Sequence, residues 1–234
     1  MRDIHKKLIS MKTAEIDKFF ANLIKQHGVE KVYQYLLSIK SQGEKGRYAY
    51  ARVLWMFYDE ARKDNILQEL FQLAKDSSWQ VREAVTFSLY KIFKKDYERV
   101  YNIFKEKIKS GDIYEKRAIA IAIMRYAQHR KNIDQLLSLL KPLMYEESII
   151  IRKILGPFVI GDGFIRYSPE KTFNWLYDLL NEDNVWVRWN IAMVFTTKES
   201  RKYKEFGKKI LDILKKDNRK EVQKAVAKAL KNLQ

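Results

Sequence analysis

Trp79 and Glu83 stand four residues apart in the stretch SWQVREAV, with Arg82 between them. On a helix, residues i and i+4 share a face, so an indole and a carboxylate would be presented side by side. An aromatic face attracts a cation within about 6 Å of its centre, and a fixed carboxylate stabilises positive charge that develops as a bond breaks. The pair therefore suits a cationic substrate whose departing group leaves positive charge behind. A plainer account fits the same residues: Trp79 fills a gap between helices, and Glu83 pairs with a neighbouring arginine such as Arg117.

Other reactive constellations are missing from the sequence. It has no cysteine, which excludes a thiolate nucleophile, a disulfide and a Cys-ligated zinc. His5, His27 and His129 are scattered and form no HExxH pair. Glycines 161 and 163 flank an aspartate in a run too short for a phosphate loop. Ser77 and Ser78 have no His or Lys arrangement of hydrolase type and read as helix-start residues. No metal and no organic cofactor is expected.

The elements that must position the pair are helices. Hydrophobic residues make up 47% of 234 residues, enough for a large core, while only 8 Gly and 3 Pro punctuate the chain. No apolar run approaches the ~20 residues of a membrane span. The opening MRDIHKKLIS lacks the apolar core of a secretory signal. A cytoplasmic monomer off the membrane is expected. Lys and Arg total 46 against 29 acidic residues, a net charge of +17. Adaptation to heat raises Glu together with Lys, so an excess of one sign points to a polyanionic partner, of which nucleic acid is the commonest.

The chain also repeats. DSSWQVREAV aligns with GDIYEKRAIAIAI, EESIIIRKILG, NEDNVWVRWNIA and DNRKEVQKAVAKAL. The aligned positions Arg82, Arg117, Arg152, Arg188 and Gln223 are spaced 35, 35, 36 and 35 apart, and one step back lands on Arg47. Asp76, Glu146, Glu182 and Asp217 each lie six before an anchor. Apolar spacing within a unit is helical: Val85, Leu89 and Ile92 on one segment, Val100, Ile103, Phe104 and Ile108 on the next. Paired antiparallel helices that cannot bury their apolar faces alone stack into an α-solenoid. The expected organisation is one all-α domain over 1–234, with capping helices in 1–40 that lack the repeat signature. About six repeats of some 35 residues fill 41–234. One unit is irregular: Pro157 is expected to kink or end its helix, and Gly161 and Gly163 to open a loop.

An acid in the inter-helix turn followed by a basic residue in the next helix resembles the HEAT repeat, whose Asp and Arg form ladders between units. Three segments carry a closer likeness. SWQVREAV, YEKRAIAIAI and IRKILGPFVI resemble segments of the AlkD-type DNA alkylation repair glycosylases, which are built from HEAT-like repeats. The resemblance places Trp79 and Glu83 on the family's Trp and catalytic acid, and Arg117 on a DNA-contacting arginine. The chain departs from the family in having Glu83 for the usual Asp, and Pro157, with Phe158 beside it, for the second active-site Trp. The family's N-terminal aromatic and proline-rich motif has no counterpart in residues 1–40.

What the resemblance implies is a protein that binds duplex DNA and excises N3- or N7-alkylated purines by hydrolysing the N-glycosidic bond. Tyr114, Arg117, Arg152, Lys153, Arg188 and Trp189 are the expected DNA contacts: cations hold phosphates and aromatics stack. The repeated arginines equally fit ladder positions, and the C-terminal lysines a solvated face. A second function class remains open, a non-catalytic repeat scaffold that binds a protein partner or holds DNA without cleaving it.

Overall fold

The structure is a computed structural model that describes residue 8 and residues 10–234. His5 and the first part of the expected N-terminal cap lie outside the described residues. The fold is an all-α helical-repeat solenoid, with no strand among the described residues. Its contacts cluster into two compact units, Met1–Val100 and Tyr101–Gln234.

The first unit contains α1 (Thr13–His27), α2 (Val29–Ile39), α3 (Gly43–Val53), α4 (Lys63–Leu73) and α5 (Trp79–Lys95). Gly28, at φ 81°, separates α1 from α2 in a backbone region open to glycine. Helix α5 buries Val81, Ala84, Val85, Leu89 and Ile92, the stripe its periodicity predicts. It lies against both α3 and α4. The buried Ser88 hydroxyl donates to the Ala51 carbonyl and so ties α5 to α3. The repeat register reaches further back than the sequence reading allows. Thr13 is hydrogen-bonded to Tyr48 at 2.7 Å, and Arg52 grips both oxygens of Asp17 at 2.9 and 2.7 Å. Both partnerships span 35 residues, so α1 stacks on α3 in register.

Helix α6 (Tyr97–Ser110) carries the boundary between the units. The second unit continues with α7 (Ile113–Ala127), α8 (Ile133–Leu140), α9 (Ile149–Ile154), α10 (Ile165–Tyr167), α11 (Pro169–Asp178), α12 (Val185–Val194), α13 (Lys204–Leu214) and α14 (Lys220–Asn232). Helices α7, α9, α12 and α14 stack as one layer, with α8, α11 and α13 on the other side. Capping residues start this layer's helices. Asp112 accepts from the Tyr114 N–H at 2.8 Å, and Asn184 from those of Trp186 and Val187 at 2.9 and 3.2 Å.

The irregular unit does not open a loop. α-Helical bonding stops at Ile154, but the chain keeps coiling as a π-helix over Leu155–Phe164 and joins α10. The wider π turn accommodates Pro157, which has no N–H to give. The glycines serve close packing. A Cβ on Gly156 would sit 2.6 Å from the Asn190 carbonyl oxygen, and one on Gly161 2.7 Å from that of Val194. Both oxygens belong to α12, which can approach only because these side chains are missing.

The anchors organise the turns. Arg82 donates to the carbonyls of Asp76 and Ser77 at 2.6 and 2.9 Å, Arg152 to that of Glu147 at 2.9 Å, and Arg188 to that of Glu182 at 3.0 Å. Gln223 does the same with the Lys215 carbonyl at 2.8 Å. These carbonyls lie past the last residue of the preceding helix, in the turn, where helical bonding supplies no donor. Some anchors also reach forward one unit. Arg47 holds both oxygens of Asp76 at 2.6 and 3.2 Å, and Arg188 holds Asp217 at 3.0 Å. In the Arg117 unit Lys116, one residue before the anchor, pairs with Glu146.

Two of the ladder acids, Asp76 and Asp217, have buried side chains. Burial pushes the Asp76 carboxyl up, but hydrogen bonds from Arg47 and the Ser78 N–H, with the charges of Arg47 and Arg82, bring it below the ordinary carboxylate range. Arg219 holds Asp217 far below that range. The Arg219 N–H and Arg188 add to the effect, and together they outweigh burial. A carboxyl depressed in the folded state contributes stability that is complete above its unfolded value near 3.9 and is lost as pH falls towards the folded value. Urea unfolding over a pH series should therefore show stability falling from about pH 4 downwards. Asp217→Asn should lose about 2 kcal/mol at neutral pH, and the gap to the parent protein should close as pH drops below 4. A gap that stays constant down to pH 2 would contradict this.

Candidate functional site

Within each unit, the 35-residue register decides which side chains meet. Glu83 follows its anchor by one residue; Tyr48 and Thr13 hold that place one and two periods earlier. All three line one recess of about 250 Å³, together with Trp79, Gln80 and Lys45. Lys45 is Gln80 displaced by one period. Trp79 is 65% exposed, the most exposed large hydrophobic residue of the described chain. Glu83 is half-buried at its side. The Tyr48 hydroxyl is held by Thr13, and the Lys45 ammonium lies 5.6 Å from the Tyr48 ring centre. The sequence pair thus stands on one helical face as expected, and Tyr48, Lys45 and Thr13 complete the wall. Stepping back 35 from Glu83 and Gln80 would have found them.

The start of α5 is pinned by its turn. Ser78 occupies the N-cap position, but its hydroxyl donates to Glu44 at 2.9 Å, and the carboxylate that takes the free Ser78 N–H is Asp76, at 2.8 Å. Asp76 is in turn fixed by Arg47. One turn further along α5 a second row forms. Arg52, clamped by Asp17, places its guanidinium 3.2 Å from the Phe87 ring centre. Lys91 lies 4.9 Å from the Trp55 ring and 5.4 Å from that of Phe87. The surface beside the recess is thus aromatic and cationic.

The remaining predicted contacts lie in the second unit. The Arg152 guanidinium lies over two indoles, 3.9 Å from the Trp186 ring centre and 5.3 Å from that of Trp189. Trp186, which the sequence reading did not select, is the closer of the two. Lys153, next along α9, is exposed. Arg188 is half-buried and divided between Asp217, Asp183 and the Glu182 carbonyl. Tyr114 and Arg117 are half-buried on α7, where the Tyr114 N–H is capped by Asp112. Ile149 and Phe158 are exposed at either end of the Arg152 stretch, at 49% and 40%. Among the described residues no cluster of three His, Asp or Glu side chains is arranged to hold a metal ion, and no helix is long and apolar enough to cross a membrane.

This architecture defines a HEAT-like helical-repeat protein. Residues 66–95, covering α4 and α5, match the HEAT repeat family. No curated protein matches the chain. Similar solved structures include an engineered protein (15% identity, 86% of this chain and 97% of that one, TM-score 0.38). Another is a designed armadillo repeat protein (18% identity, 86% and 99%, TM-score 0.36). A third is a designed armadillo repeat protein in complex with the peptide (KR)4 (17% identity, 86% and 98%, TM-score 0.34).

Arg152 and Lys153 are neighbours with different physical duties, and mutation should separate them. Arg152→Ala removes the stack on two indoles and the bond to Glu147, and should cost about 1–2 kcal/mol in chemical denaturation. Lys153→Ala should stay within about 0.5 kcal/mol of the parent protein. Equal losses would show that the stack does not hold the unit together.

Proposed function

We propose that this protein binds duplex DNA in the cytoplasm and hydrolyses the N-glycosidic bond of N3- or N7-alkylated purines. Its working residues are Trp79 and Glu83. The observation that carries the reading is the exposed Trp79 indole beside Glu83 in a recess walled by Tyr48 and Lys45. A solvent-facing Trp is costly unless it meets a partner, and an indole beside a carboxylate meets a cationic one. An alkylated purine carries positive charge, which weakens its bond to the sugar. As that bond breaks, charge passes to the sugar ring, where the Glu83 carboxylate stabilises it and orients the attacking water. The purine leaves neutral, so no metal or organic cofactor is needed. A recess of about 250 Å³ is small for swallowing a base, and fits a site that works on a nucleotide without the deep pocket of base-flipping enzymes. The likeness of SWQVREAV, YEKRAIAIAI and IRKILGPFVI to AlkD-type glycosylases supports the same chemistry.

Arg117, Tyr114, Arg152, Lys153, Arg188 and Trp189 are the proposed backbone contacts. Lys153 is the best placed, because it is exposed. Arg152 keeps its stack and offers the edge of its guanidinium. Arg188 would have to share with Asp217. Both units belong to one repeat domain in this reading, since Arg82 and Arg117 are separated by one ordinary period of 35.

A second reading, a protein-binding scaffold, has its own observation. A recess of about 550 Å³ between α11 and α13 is floored by Phe173, Tyr203 and Phe206, with Phe173 stacked 4.2 Å from Phe206.

Release of methylated purine from alkylated duplex DNA decides between them when binding is recorded in the same samples. The expected result is release by the parent protein, a loss of about 10²–10³-fold in Glu83→Gln, and unchanged duplex affinity in that variant. Affinity should also fall steeply between about 50 and 200 mM salt. Release that survives Glu83→Gln removes Glu83 from the chemistry. Salt-sensitive binding without release leaves a DNA-binding repeat protein, and neither activity leaves the scaffold.

A further inference from the structure

The last helix, α14, carries Lys220, Lys224 and Lys228 at i, i+4 and i+8, all exposed. Relative to Gln223 they stand at −3, +1 and +5. In the first unit the same three places hold Trp79, Glu83 and Phe87, which make up the recess and the row beside it. In the second unit the +1 place holds Lys153 and Trp189. The three lysines therefore occupy the register positions that elsewhere carry the proposed site and its contacts.

Their charge is also uncommitted. The ion pairs at this end of the chain join Arg219 to Asp183 and Asp217, and Arg188 to Asp217. None of the three ammonium groups has an ion pair or hydrogen bond with another described residue. Like charges at i and i+4 destabilise a helix. A terminal repeat needs a polar outer face for solubility, but mixed charge meets that need without self-repulsion. A single-sign row at site-equivalent positions is matched by the row of phosphates along one strand, about 3.4 Å of duplex axis per charge.

We infer that Lys220, Lys224 and Lys228 form a phosphate-contact strip that anchors the backbone of a DNA duplex to the second unit. The inference rests on the duplex-binding reading above and adds a surface to it. Each lysine that neutralises one phosphate adds about 0.9 to the slope of log affinity against log salt.

The test compares the parent protein with the triple variant Lys220→Gln, Lys224→Gln, Lys228→Gln on an unmodified duplex. A control triple variant, Lys105→Gln, Lys131→Gln, Lys209→Gln, removes the same charge from exposed positions on other elements. The strip predicts a slope shallower by about 2.7 in the first variant, a much smaller change in the control, and a melting temperature that does not fall in either. Equal slopes in the parent protein and the first variant, or equal losses in the two variants, would overturn the strip and leave duplex binding standing. A parent protein that does not bind the duplex at any salt would remove duplex binding and the strip together.

Discussion

A basic side chain inside one helix that serves the turn before it is the interaction on which the repeat depends. The turn that follows a helix carries carbonyls that helical bonding does not reach, and a buried or half-buried carbonyl needs a donor. In this protein Arg82, Arg152, Arg188 and Gln223 supply the missing donors from the next helix. The donor must stand a fixed distance past the turn, which fixes where the next helix begins. Arg188 also grips Asp217 in the following unit, so one guanidinium holds two turns, and Arg47 reaches forward to Asp76 in the same way. Asp76 then caps the Ser78 N–H, so turn, cap and ladder are one connected network. Glutamine at position 223 still closes its turn, because the carbonyl needs a donor and not a charge.

Rows of side chains follow from that constraint. Fixed helix starts give fixed register, and fixed register brings residues one period apart into contact. Thr13, Tyr48 and Glu83 come together for no other reason, and so do Asp17, Arg52 and Phe87. The recess is therefore a product of stacking, with no insertion or loop built for it. Its chemistry depends on which residue types occupy places that every repeat must fill.

Much of this was legible in the sequence because it is periodic. The helices, the anchors and the pairing of Trp79 with Glu83 on one face all follow from 3.6-residue and 35-residue repeats. The readings that missed were those where packing overrode local signals. Pro157, Gly161 and Gly163 look like a break, yet the chain coils through them as a π-helix, with Gly156 and Gly161 letting α12 approach. The N-terminal segment looks unrelated to the repeats because Thr13 and Asp17 are not the types found at their places later on, although their partners lie one period away. Pairing of Lys116 with Glu146 lies one residue before the anchor place, which alignment of the anchors does not point to.

The excess positive charge has a structural logic of its own. Ladder positions consume cations against equal numbers of acids: Arg47 with Asp76, Lys116 with Glu146, Arg188 and Arg219 with Asp183 and Asp217. Such pairs add nothing to net charge and little to the field beyond the surface. A surplus of 17 must therefore sit outside the ladder, on residues such as Lys153 and the lysines of α14 that neither stacking nor capping requires. Stability alone does not favour that arrangement, because unpaired like charges repel one another in the folded state. The fold uses arginines, and Lys116 with them, to hold helices in register, and leaves lysines such as Lys153, Lys220, Lys224 and Lys228 facing outward.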